Sequence, residues 1–272
     1  MRTGVALLFL TVSIVLNPVS AQAIRFDKGT YQRLSYEKKT KEQFESFTVQ
    51  NFKVLYDGPL TPAEKETVVL QIEESLRSVK DDFDFQPSGA YEVILLSPEN
   101  YRKVDEPDRI SSGFYQDKRI RILFRGVKGP PVDPNPFKST FIHELSHLAV
   151  ASLGSVDLPR WMNEGLAEYE DLGIRNRTPD VAKDVYQKQP ALARLPPKDF
   201  FKLRTTLNKD GSYPPGLYEH GYAVVKYIVD QYGFGTVRDL LARMKTGESF
   251  SRAFSDVYKM SAEQMAATAY GF

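Results

Sequence analysis

The 272-residue chain has no cysteine, three histidines and one tryptophan. Without cysteine there are no disulfides, no lipid-anchored cysteine and no thiolate metal site. Stability must come from a hydrophobic core, and any metal must be held by histidine and carboxylate. Neither sign of charge is in excess: 36 Lys and Arg against 35 Asp and Glu leave a net +1. Nothing in that balance favours nucleic acid or an anionic membrane as partner. Internal repeats are absent, and only the extreme N-terminus carries a long apolar run.

That run, "GVALLFLTVSIVL" (Gly4 to Leu16), follows Arg2 and precedes Pro18 and "SAQA", which ends at Ala23. A basic start, a short apolar centre and small residues at Ala21 and Ala23 predict a secretory signal peptide, residues 1–23. The alternative is an uncleaved anchor, for which the run is short. Cleavage after Ala23 removes Arg2 and leaves a mature chain without net charge, periplasmic or secreted, with no membrane span.

Residues 24–45 are polar, with "EKKTKE" at Glu37 to Glu42, and predict a solvated lead-in. Residues 46–272 are expected to form one domain, a sheet part over 46–130 and a helical part over 131–272. Phe47 to Tyr56 alternates like a half-buried strand, and "YEVILL" (Tyr91 to Leu96) is a short buried one. Ser112 to Phe124 predicts a turn and a strand with Ile120, Ile122 and Phe124 on one face. Between them Thr61 to Phe83 is a helix capped by Thr61, with Pro62 in its first turn and a core stripe of Val69, Ile72, Leu76 and Val79. A proline-rich loop, Gly129 to Phe137, leads into helices at Ser139–Leu153, Trp161–Leu172, Leu217–Tyr232, Thr236–Lys245 and Ser249–Tyr258. A last helix begins at the "SAEQ" capping box of Ser261. Strands first and helices after imply an α+β architecture with "HELSH" at the junction.

"FIHELSHLAV" (Phe141 to Val150) carries two of the three histidines. On a helix His143 and His147 lie one turn apart on the same face, with Glu144 one position round. Both imidazoles can then point at one zinc ion with Glu144 near its water, while Ile142, Leu145 and Ala149 bury the other side. The plain alternative is an ordinary helix with two histidines. A zinc site of this kind needs a third protein ligand and one open position. The candidate is Glu164, in "LPRWMNEGLAEYE", with 16 residues between it and His147 and an apolar setting beside Trp161 and Leu166. Glu168, one turn on, is placed to accept a hydrogen bond from the far nitrogen of a ligand histidine. Glu170 and Asp171 are expected on a solvated acidic face.

"HELSH" followed by "LPRWMNEGLAEY" resembles the gluzincin metallopeptidases, most closely the compact peptidase-MA-like domains of bacterial exported proteins. The likeness in element order runs from about Phe47 onward. It implies a zincin-like fold, zinc held by His143, His147 and Glu164, and Glu144 as general base. "LYEHGYAVVKYI" is similar to the Y-E-x-G helix start of the zinc aminopeptidases, which implies that Tyr218 stabilises an oxyanion; the alternative is a tyrosine capping the helix. His220, in the same stretch, is expected to be a packing or surface residue. The chain departs from the family in two ways. The interval from His147 to Glu164 is slightly short, and no G-x-M-E-N strand occurs where "SGFYQDKRIRI" stands. The second departure speaks against strict aminopeptidase action and leaves a strand edge on which an extended peptide can pair.

The expected function is an exported zinc metallopeptidase acting on peptides or proteins, more an endopeptidase than an aminopeptidase. The alternative from another class is a non-catalytic binding or assembly module that keeps the zincin fold. A purely structural zinc fits poorly, because closed sites use four protein ligands, often cysteines.

Overall fold

The computed structural model describes residues 44–104, 112–126, 136–154, 158–174 and 217–269. The expected signal peptide, nearly all of the lead-in and most of the proline-rich loop lie outside them.

Five strands form one sheet: β1 (Glu45–Val49), β2 (Phe52–Tyr56), β3 (Tyr91–Leu96), β4 (Gly113–Gln116) and β5 (Arg119–Leu123), in the order β1-β2-β3-β5-β4. β3 runs parallel to both β2 and β5, while β1 and β4 are antiparallel edge strands. Two single strands expected from the sequence are hairpins. Phe47 to Tyr56 folds back at Gln50, whose φ is 49°, so that Val49 faces Phe52. The apolar alternation changes phase at this turn, from Phe47 and Val49 to Phe52, Val54 and Tyr56, with no glycine or proline to mark it. The second hairpin turns on Asp117 and Lys118, both at positive φ (52° and 62°), as two-residue hairpin loops require.

Between the hairpins lies α1 (Pro62–Phe83). The Thr61 side chain accepts from the Glu64 backbone N–H and the Glu64 carboxylate accepts from that of Thr61, with Pro62 in the first turn, as expected. Its buried stripe is Val68, Ile72, Leu76, Val79 and Phe83; Val69 is only partly buried. A short helix, α2 (Pro98–Val104), is absent from the sequence reading. Asp57 anchors its start, accepting from the Ser97 backbone N–H at 2.7 Å and from Asn100 Nδ2 at 2.7 Å.

The helical half contains α3 (Pro136–Leu153), α4 (Arg160–Ile174), α5 (Leu217–Tyr232), α6 (Phe234–Lys245), α7 (Phe250–Tyr258) and α8 (Ala262–Ala269). One sheet face, with Phe52, Val54, Val93, Leu95, Ile120 and Ile122, packs on α1 and α3 in the main core. The other buries Leu55, Ile94 and Leu96 against Tyr101 of α2. Phe141 locks α3 to the sheet. Its ring stacks on Phe137 and meets Phe52 edge-on, each at 5.8 Å between centroids. Each such ring contributes about 1.5–3 kcal/mol by burial, so the histidine-bearing helix stands on a fixed base. Arrangement and class are the α+β type expected.

Candidate metal centre

α3 turns its apolar side inward, with Ile142, Leu145 and Ala149 fully buried, and its histidines toward α4. The imidazole rings of His143 and His147 lie 4.9 Å apart, edge to face. α4 brings Glu164 against both: Oε2 lies 3.5 Å from His143 Nε2 and 3.4 Å from His147 Nε2. One donor atom from each of the three falls within 4.8 Å of the others, a group able to hold a metal ion. Two imidazole nitrogens and one carboxylate oxygen are the donors zinc favours. The Nδ1 atom of His147 meets no hydrogen-bond partner among the described residues, so its ring is held by packing and by what its Nε2 faces.

Electrostatics describe the same cluster. Burial opposes charge on His143, but its hydrogen bonds to Glu164 and Glu168 and the charges of Glu144 and Glu168 outweigh that and raise its pKa well above the ordinary value. Burial likewise pushes Glu164 up, and the two histidines overcome it, holding the carboxyl well below the usual range. His143 and Glu164 thus both favour positive charge at the centre. Glu168 Oε1 lies 3.4 Å from His143 Nδ1, on the far side of the ring, as expected for a residue that orients it.

Glu144 is 6% exposed. Burial raises its pKa and Glu164 adds to the rise, against His147, His143 and the Tyr115 backbone N–H, from which the carboxylate accepts. That last contact ties the glutamate to edge strand β4. It depends on Gly113, where a Cβ would lie 2.5 Å from Thr140 Cγ2 and 2.9 Å from the Arg121 carbonyl oxygen. Any larger residue would push β4 off α3. Tyr218, in the first turn of α5, has its ring 6.3 Å from that of His143, so it borders the cluster.

The third helix is brought close by glycine. A Cβ on Gly165 would lie 2.4 Å from the backbone of Gly221, and one on Gly221 would lie 2.3 Å from the Trp161 carbonyl oxygen. α4 and α5 therefore cross backbone on backbone beside Glu164, which explains the glycine that follows it.

Some residues stand elsewhere than expected. Glu170 and Asp171 are not on a solvated face; both are 3% exposed. Asp171 joins His143 and Glu168 in a second convergent group, and Glu170 turns toward α1, where it accepts from Ser78 Oγ at 3.1 Å. Only the assembled fold brings Ser78 of α1 to that side of α4, which no local pattern reveals. His220 is buried, and burial lowers its pKa to about 4; it belongs to neither metal-capable group. Arg160, not singled out in the sequence, lies 3.2 Å from Glu164 Oε1. Its place four residues before Glu164 was the available signal.

The family model described as Peptidase MA superfamily matches residues 115–269, more than half of the chain. No curated protein sequence matches it. Among solved structures, yeast LTA4 hydrolase in complex with bestatin is similar at a TM-score of 0.50 and 15% identity, over 79% of this chain and 36% of that one. A mutant M1 zinc metallopeptidase from Deinococcus radiodurans gives 0.48 and 15%, over 84% and 51%. The same mutant bound to a Tyr-Ser-Ala substrate gives 0.48 and 19%, over 80% and 48%. At such identities the likeness is one of fold, here zincin-like, and the chain spans only about a third to a half of the length of these proteins.

Proposed function

The chain belongs to the Peptidase MA superfamily, and from that premise we propose that it is an exported zinc metallopeptidase hydrolysing peptide bonds. The observation that carries this reading is the convergence of His143 Nε2, His147 Nε2 and Glu164 Oε2, with Glu144 buried on the same helix. These three residues would hold the metal. Zinc bound there supplies a Lewis acid that polarises a carbonyl and acidifies water. Glu144 takes the proton of the attacking water and returns it to the leaving amine. Tyr218 donates a hydrogen bond from its hydroxyl to the developing oxyanion. Glu168 fixes the ring of His143 and raises its basicity as a ligand.

The outer edge of β4, the last strand of the sheet among the described residues, receives the substrate as an added strand, next to the Tyr115 N–H that holds Glu144. β4 reads Gly-Phe-Tyr-Gln from Gly113 to Gln116 and offers no carboxylate for a free amine, which favours internal cleavage. The substrate is accordingly an extended peptide or protein segment. Export rests on the N-terminal run, and material recovered outside the cytoplasm should begin at Ile24.

Incubating the purified chain with zinc and a diverse peptide library tests the proposal, with Glu144→Gln as control. Internal cuts by the wild type are expected, and a loss of about 10²–10⁴ in rate in the variant with zinc content retained. Equal cleavage by both proteins would remove Glu144 as the base. One zinc per chain without any cleavage would favour a binding module that keeps the fold.

A further inference from the structure

Both oxygens of Glu164 are engaged. Oε2 faces the two histidines, while Oε1 lies 3.2 Å from Nη2 of Arg160, one helical turn earlier. Glu164 is 5% exposed, so water competes poorly for Oε1. Arg160 is the first residue of α4, a place where the helix dipole disfavours a cation. A guanidinium beside a metal centre also repels the metal. Two unfavourable terms at one residue call for compensation, and the ion pair with Oε1 supplies part of it.

A carboxylate can ligate a metal through one oxygen or through both. Bound through both, Glu164 would bring the centre to five bonded atoms once a water is counted, and would crowd the position that a hydrolytic site must leave open. We infer that Arg160 is a positioning residue: by occupying Oε1 it confines Glu164 to one metal bond through Oε2 and keeps the remaining coordination position free. The inference rests on the metal-centre reading above and adds to it how that centre stays open. Arginine suits the task because its planar fork keeps its direction.

The test is titration of the metal-free full chain with cobalt(II), comparing wild type with Arg160→Ala and Arg160→Lys. It is read by visible absorption and by chelator competition. Four-coordinate cobalt absorbs several-fold more strongly than five- or six-coordinate cobalt. Wild type should show the intense spectrum. Arg160→Ala should lose most of that intensity and bind cobalt about 10-fold or more weakly, and Arg160→Lys should recover part of both. An unchanged spectrum in Arg160→Ala would overturn the inference. So would tighter binding with an unchanged spectrum, the result expected if Arg160 acted only by repulsion. Wild type that takes up no cobalt would remove the metal centre itself, a different failure. Circular dichroism of the metal-free proteins reports folding; should Arg160→Ala not fold, Arg160→Gln carries the same readings.

Discussion

Tyr218 shows how far a residue-scale argument reaches. Its ring borders that of His143 at 6.3 Å, and the Gly165–Gly221 crossing holds its helix against the one bearing Glu164. If its hydroxyl serves the oxyanion, Tyr218→Phe should lower kcat by about 10²–10³ while KM and metal content hold; a packing role would leave kcat nearly intact and lower stability instead. The sequence made this residue visible only through a short Y-E-x-G likeness. His143, Glu144 and His147 were far plainer, because their spacing alone places them on one helical face. Glu164 needed both its apolar neighbours and the returning helix. Arg160 escaped because its partner is a single oxygen of another side chain, and a surface ion pair of the same spacing would look identical in sequence.

At the scale of elements, the contact of α1 with α4 was illegible, and Glu170 is the reason it matters. Adjacent acids on a helix suggest a wet face; here Glu170 turns toward Ser78 of α1 and Asp171 toward His143 and Glu168, and both are buried. Burial first, then the charge and hydrogen bond of Asp82, raise the Glu170 pKa to about 9, with Ser78 opposing. Burial beside a second carboxyl group favours the protonated form of Glu170, so the folded chain holds a proton that the unfolded chain releases near the ordinary value. The contribution is therefore fully present below the ordinary carboxylate pKa. It is lost as pH rises toward 9, at a rate of up to about 1.4 kcal/mol per pH unit. Glu170→Gln keeps the hydrogen-bonding shape without the titration. Urea unfolding at pH 5 and pH 8 should show a smaller loss of stability for the variant than for wild type. Equal losses would mean that Glu170 is ionised in the folded protein.

The whole molecule is a sheet with helices on it, and that order was legible because strand and helix periods segregate along the chain. The two hairpins were not. Gln50 and Asn51 shift the apolar alternation by one position but carry no glycine or proline, and the turn at Asp117 and Lys118 likewise lacks the glycine that usually marks one. What the assembled fold adds is the joining of α3 and α4 around one charged centre, and this gives a global prediction. A metal bound only by the folded state stabilises it by mass action, about 2.7 kcal/mol at a free concentration 100-fold above Kd. For a chain of this size that corresponds to a rise in Tm of roughly 5–10 °C. Zinc should produce that rise with wild type and with Glu144→Gln, since Glu144 is not among the proposed ligands. Glu164→Ala should lose most of it, because His143 and His147 alone leave two positions to solvent. A full shift in Glu164→Ala, measured by scanning calorimetry at matched zinc, would place the third ligand elsewhere. The nearest other candidates would be Glu168 and Asp171, which form the second convergent group with His143, Glu168 lying on its Nδ1 side.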